Sequence, residues 1–223
     1  MPDAKAEDGC AVPLSPSFLA QEALVVEDEA GSAEAARLTA ALQALLVDKG
    51  LLAPKEVDQE IGRLEAPGLH LGARIVARAW IDDSFKARLL ADGKSAAAEL
   101  GIKIGEAQLV AVENTSRDHN LIVCTLCSCY PRSILGQPPS WYISKAYRAR
   151  AVREPRNVLR EFGLDVPADI RVRVHDSNAD MRYLVLPRRP DGTEGWNEGQ
   201  LARLVTRDTL IGTAVASATD TAV

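Results

Sequence analysis

The sequence predicts an α+β protein in which an N-terminal helical arm precedes a layered α/β domain. Three observations predict it. Apolar residues recur at three- and four-residue spacing between positions 38 and 64, short β-prone runs bounded by turn residues follow position 108, and helical spacing returns after position 197. The 223 residues suffice for one domain with appendages, and its core needs no staples. With 47% hydrophobic and 26% charged residues the composition is that of a globular protein. No apolar run reaches the roughly 18 residues a membrane helix needs, which excludes a membrane-spanning protein. A net charge of −5 argues against nucleic acid as a partner, since a phosphate-tracking surface is normally basic.

The elements follow in order. Between Met1 and Glu34 eight carboxylates accompany the single Lys5, and the rest of the chain carries 23 acids and 25 bases. The acidity is therefore concentrated in residues 1–33, read with Pro2, Pro13 and Pro16 as a flexible segment. It lacks the basic and then apolar pattern of a secretory signal, so the cytoplasm is the expected compartment, and its Cys10 is expected to be a free thiol without a role. Residues 34–68 form the arm. Leu38, Ala41, Leu42, Leu45 and Leu46 share one helix face that Gly50 closes; Pro54 opens a second helix with Val57, Ile61 and Leu64, ended by Pro67-Gly68. Such a pair either wraps a partner or packs on its own domain.

Residues 69–214 form the domain and 215–223 a tail. Asp82 or Asp83 caps a helix bearing Phe85 and Leu89, Gly93 interrupts it, and Ser95 begins an Ala-rich segment closed by Gly101. Leu109 to Val112 and Leu121 to Val123 are β-prone runs around a polar turn, predicting a hairpin that delivers Cys124. Ile170, Val172 and Val174 alternate with Arg171, Arg173 and His175, and Tyr183 to Leu186 follows the turn Asp176-Ser177-Asn178, predicting a second hairpin. Between them lie a Pro- and aromatic-rich loop over 130–147 and a helix from about Pro155 to Phe162; a last helix runs from Glu198 to Val205 after an Asn197 cap.

The constellation with chemical content is Cys124-Thr125-Leu126-Cys127-Ser128-Cys129. It gathers three of the four cysteines within six residues, so one loop can aim three sulfurs at one centre. Other readings of the cysteines are weaker. A structural zinc site wants four ligands and finds no second cysteine pair, although His119 could serve as the fourth. A dithiol redox pair, Cys124 and Cys127, should open a helix, but Tyr130-Pro131 follows. A disulfide is disfavoured by the compartment and the odd thiol. His119, nearest of the three histidines to the cysteines, reads as a polar turn residue, and neither a Ser-His-Asp arrangement nor a Gly-rich phosphate loop is present.

The run from Val123 to Pro131 resembles the metal-binding motif of the nitrile hydratase α-subunit family, which also includes the thiocyanate hydrolase γ-subunit. The resemblance continues through Val112-Glu113-Asn114-Thr115, Pro138-Pro139, Trp141-Tyr142, Tyr147-Arg148, Arg153-Glu154-Pro155-Arg156, Gly192-Thr193-Glu194-Gly195-Trp196 and Leu204-Val205-Thr206-Arg207, spanning roughly residues 69–212. It implies the family's layered catalytic domain and a cobalt(III), or second an iron(III), ion held by Cys124, Cys127, Cys129 and the amide nitrogens of Ser128 and Cys129. It also implies oxidation of Cys127 to sulfinate and Cys129 to sulfenate, two rungs of one ladder, which makes these two the catalytic cysteines. Thr125 resembles the cobalt-type variant. The implied reaction is hydration of a nitrile to its amide at the position the ligands leave open, with water or the Cys129 oxygen as nucleophile. The implied partner is a homologous-fold β-subunit, in an αβ heterodimer or larger assembly, whose arginines reach the oxidised cysteines.

Arg132 departs from the pattern, where Trp is usual. An aromatic wall suits an apolar nitrile; a guanidinium at the rim suits an anion or a polar heterocycle, so Arg132 is the candidate substrate-binding residue, unless it pairs with a carboxylate of the partner. The stretch Arg132 to Gln137 looks closer to the thiocyanate enzyme, but the short segment 101–108 lacks the insertion associated with it. Nitrile hydratase is therefore the first reading and thiocyanate hydrolase, releasing carbonyl sulfide and ammonia, the second; a relative that binds metal without turnover is a third.

Overall fold

Chain continuity puts the cysteine loop at the end of a buried strand. The structure, a computed structural model, describes residues 33–53, 55–65 and 68–218; Cys10, Pro54 and Pro67 lie outside these. Helices α1 (Ala33–Asp48) and α2 (Glu56–Glu65) come first. Gly50, at φ +66°, ends α1 as the sequence predicts. The apolar stripe of α1 finds no cover among the described residues: Leu38 is 64% exposed, Leu42 57% and Leu45 49%. Among the described residues no helix is long and apolar enough to cross a membrane.

Helix α3 (Leu69–Ile81) is the central helix, burying Ile75, Val76, Ala77 and Ala79. The Asp82 carboxylate accepts from Phe85 N at 2.9 Å and starts α4 (Asp83–Ala91), which buries Phe85 and Leu89. The sequence predicts a break at Gly93 and a new start at Ser95; instead Asp92 caps a helix α5 (Gly93–Glu99) that already includes Gly93. That position has another constraint, because a Cβ there would lie 2.5 Å from the Leu109 carbonyl oxygen.

Strands β1 (Gln108–Glu113), β2 (Asp118–Val123), β3 (Arg171–Asp176) and β4 (Met181–Leu186) occur where the sequence puts them, but neither hairpin exists. β1 pairs with β4 in parallel, Gln108 opposite Met181, and β2 pairs with β3 in parallel, Asp118 opposite Arg171. The reason lies in the links. After β1 the Asn114 side chain meets β2 where a ladder would run: Asn120 N donates to Asn114 Oδ1 at 2.7 Å, and Asn120 Nδ2 to the Glu113 carbonyl at 2.8 Å. Each short link thus sends the chain into the other ribbon, and the partner strand arrives after a long crossover, as parallel pairing demands. Every residue of β2 after Asp118 is buried, the mark of a strand covered on both faces.

The segment 130–147 is not the loop that its prolines and aromatics predict. It holds α6 (Arg132–Leu135), α7 (Ser140–Ile143) and the start of α8 (Lys145–Arg153), with Pro131 and Pro139 immediately before the first two. The rings are core: Tyr130, Tyr142 and Tyr147 are buried, with Tyr130 edge-on to Tyr142 at 5.0 Å and Trp141 to Phe162 at 4.7 Å. Helix α9 (Pro155–Glu161) is as predicted. The predicted last helix is shorter and has a successor: α10 (Glu198–Ala202) starts on an Asn197–Gln200 capping box, and α11 (Arg207–Ile211) on a Thr206–Thr209 box.

Candidate metal centre

β2 carries the chain into the site and leaves Cys124 fully buried at its end. Within the next five residues the loop bends over Thr125, Leu126 and Cys127. Cys124 Sγ lies 3.5 Å from Cys127 Sγ, which lies 3.2 Å from Cys129 Sγ, and all three sulfurs fall within 4.8 Å of one another. Cys129 is buried and Cys127 exposed, so the sulfurs converge from the core side onto an open face whose tip, Leu126, is 83% exposed.

Groups from three other elements fix this loop. The parallel register sets Asp176 opposite Val123, and its carboxylate accepts from Thr125 N at 2.9 Å and Thr125 Oγ1 at 2.6 Å. Tyr142, from α7, donates its hydroxyl to the Cys129 carbonyl at 2.8 Å. Arg148, from α8, donates Nη1 to the carbonyls of Leu126 at 3.3 Å and Cys127 at 3.0 Å. Inside the loop, Cys127 N donates to Cys124 Sγ at 3.3 Å. In the sequence Asp176 looks like a turn residue, and nothing local marks it as a support of the loop; Tyr142 and Arg148 stand out only as parts of the family resemblance, with no role attached.

The electrostatics favour a cation. Burial, and then hydrogen bonds to the other two sulfurs, push the Cys129 thiol up to about 12, while bonds from Cys129 and Cys124 draw Cys127 down. Sulfurs this close cannot all be thiolates unless positive charge joins them, and a metal ion is the compact form of that charge. Arg182 adds a weaker attraction for Cys129, with its Nε buried and without a partner among the described residues. Burial holds the Tyr142 hydroxyl far above the usual phenol range, so it remains a neutral donor. Three soft sulfur donors on a pinned loop fit a thiophilic transition metal.

The zinc alternative loses its fourth ligand. His119 is no turn residue: it is buried in β2, with Nε2 2.7 Å from the Gly212 carbonyl and Nδ1 3.4 Å from Asn114 Nδ2. Among the described residues the only such metal-ligating cluster is Cys124, Cys127 and Cys129. Ser128 sits between the last two in the same loop. Arg132 is exposed at the start of α6 and its side chain makes no hydrogen bond or ion pair among the described residues, so no bond draws it onto the cysteines. A cavity of about 430 Å³ lined by Asn114, His119, Val166, Arg189 and Val215 includes no cysteine.

The family model for the nitrile hydratase alpha chain matches residues 33–214. The low-molecular weight cobalt-containing nitrile hydratase subunit alpha of Rhodococcus rhodochrous is 54% identical over 185 residues, 82% of this chain and 89% of that protein. The thiocyanate hydrolase subunit gamma of Thiobacillus thioparus is 43% identical over 190 residues, 80% of this chain and 78% of that one. Among solved structures, a double mutant of the Fe-type nitrile hydratase from Comamonas testosteroni Ni1 superposes with a TM-score of 0.73 at 45% identity, covering 84% of this chain and 92% of that one. The match takes in the cysteine loop, both parallel ribbons and the helices that pin the loop, and the chain belongs to the nitrile hydratase alpha-chain family.

Proposed function

We propose that this chain is the α-subunit of a nitrile hydratase, a hydro-lyase that adds water to a nitrile to give the amide, working in the cytoplasm. The observation that carries the reading is the convergence of three cysteine sulfurs within 4.8 Å on a loop whose backbone is held from three sides. The ligands are Cys124, Cys127 and Cys129 with the amide nitrogens of Ser128 and Cys129, and the ion is cobalt(III), with iron(III) second. Thr125 and the 54% identity to a cobalt-containing relative support cobalt. Bound there, a trivalent ion supplies a Lewis-acidic position for the nitrile nitrogen.

The chain's own residues supply the rest. In this reading Cys127, exposed, would carry two oxygens as sulfinate and Cys129 one as sulfenate, with dioxygen as the oxidant; the Cys129 oxygen, restored by water, or a water beside it would supply the nucleophile, and the net reaction adds one water to the nitrile with no change of oxidation state. Asp176, Tyr142 and Arg148 keep the loop from collapsing while this happens, which a rigid site requires. The site opens onto a surface, so a homologous-fold β-subunit closes it, its arginines neutralising the sulfur oxygens. Leu126 and the uncovered leucines of α1 are the apolar surface such a partner would bury. Residues 34–68 then serve as the arm and 69–214 as the metal-binding unit.

A second reading, a thiocyanate hydrolase γ-type subunit, is favoured by Arg132, whose guanidinium is exposed and has no bond among the described residues. The 43% identity to such a subunit is lower than the 54% to a nitrile hydratase. The chain purified with its β-subunit after growth in cobalt separates the two on small aliphatic nitriles, cyanated heterocycles and thiocyanate. Amide without carbonyl sulfide is the expected result; carbonyl sulfide from thiocyanate, with no amide, establishes the second reading.

A further inference from the structure

Arg148 touches none of the three sulfurs, yet its guanidinium faces the loop that carries them. Nη1 bonds two successive carbonyls, Leu126 and Cys127, and Nε is buried without a partner among the described residues. The position is built rather than incidental. The preceding residue, Tyr147, is fully buried and donates its hydroxyl to the Ile122 carbonyl of β2 at 2.6 Å, and Ser144 caps the helix at Tyr147 N. Helix α8 is thus bolted to the strand that ends in Cys124, and Arg148 reaches from it across the loop.

One of the two carbonyls has a particular chemistry. The Cys127 carbonyl and the Ser128 nitrogen belong to the same peptide group, in which nitrogen and oxygen share electrons by resonance. A peptide nitrogen that bonds a metal releases its hydrogen to water as a proton and keeps the electron pair, with no change of oxidation state, and the negative charge spreads to the carbonyl oxygen. A guanidinium 3.0 Å from that oxygen meets the charge where it collects, and a charge-assisted hydrogen bond is roughly twice as strong as a neutral one.

We propose that Arg148 is a positioning residue of the metal loop: it holds the Leu126 and Cys127 carbonyls and, through the latter, stabilises the Cys127–Ser128 peptide group as a ligand. The inference rests on the metal reading given above. Arginine suits the task because its charge is permanent and its fork is rigid; lysine offers the charge without the fork. Glutamine offers a donor without charge.

The test uses the full chain with its β-subunit, loaded with cobalt, and compares wild type, Arg148→Gln, Arg148→Lys and, as a control on the same helix, Lys145→Gln. Cobalt per chain is measured by elemental analysis, the rate of cobalt loss to excess EDTA by dialysis, the sulfur-to-cobalt absorption bands by spectroscopy, and folding by circular dichroism. The Arg148→Gln protein is expected to keep its fold but lose cobalt at least about ten-fold faster, with shifted bands; lysine restores part of the loss, and the control matches wild type. If Arg148→Gln fails to fold, Arg148→Lys carries the comparison, with faster loss than wild type expected. Wild-type stoichiometry, loss rate and bands in the folded variant overturn the role of Arg148 alone. Wild type that holds no cobalt, or a Cys127→Ser protein that holds it normally, overturns the metal reading itself, and Arg148's role falls with it.

Discussion

At the residue scale, Arg132 and His119 show how differently neighbours in sequence can behave. The Arg132 side chain is exposed and makes no bond among the described residues, so replacing it leaves the fold and the metal loop alone. If it selects substrate, Arg132→Trp raises the ratio of kcat/KM for an apolar nitrile over a polar or anionic substrate at least several-fold, because a cation beside a bare alkyl chain costs on the order of 1–3 kcal/mol. An unchanged ratio with unchanged cobalt leaves only a contact with the partner. His119 is the reverse case, buried and bonded at both ring nitrogens. Burial depresses its pKa below the ordinary 6.5, with a smaller contribution from Arg156. The unfolded chain then takes up a proton at a pH where the folded chain does not. The stability this histidine allows is complete above 6.5 and declines as the pH falls from there toward its lower folded value. Melting temperatures measured from pH 7.5 to 5 should fall, and the His119→Gln protein should show a shallower slope; an identical slope contradicts the assignment. His175, also depressed by burial, supplies part of what remains.

At the element scale the legible features are those whose cause is local. Asp82 and Asn197 were readable as caps because a cap bonds an amide three residues away. The cysteine loop was readable because its donors are contiguous. Strand pairing was not, because the polar linkers after β1 and β3 look the same whether the chain turns back along its neighbour or crosses to another ribbon; Asn114 decides it with side-chain bonds that no periodicity reports. The consecutive Leu121, Ile122 and Val123 were the one available sign of a strand buried on both faces. Asp176, Tyr142 and Arg148 were invisible as supports for the same reason, since each reaches the loop from an element distant in sequence. Gly212 shows how tightly the elements then fit. It ends α11 at φ +94°, and a Cβ would collide with the Asn120 carbonyl of β2. Gly212→Ala should therefore destabilise the protein by on the order of 3 kcal/mol in urea unfolding; a loss below about 0.5 kcal/mol would mean that α11 moves freely off β2.

At the scale of the whole molecule, two features face outward. Helix α1 presents leucines that none of the described residues covers, and the loop presents Leu126 and Cys127 beside a buried Cys124 and Cys129. Both make sense in a protein completed by a second subunit, with the metal loop at or near the junction. The central claim is that the three sulfurs hold a catalytic metal. Its most direct test is cobalt content, intact mass and nitrile turnover measured on one preparation of the chain with its β-subunit, alongside Cys127→Ser. Wild type should carry one cobalt per chain, a mass increase of three oxygens, two on Cys127 and one on Cys129, and amide-forming activity. The Cys127→Ser protein should fold yet lose most of its cobalt and all measurable turnover. Stoichiometric cobalt and near-normal turnover in Cys127→Ser would contradict the claim.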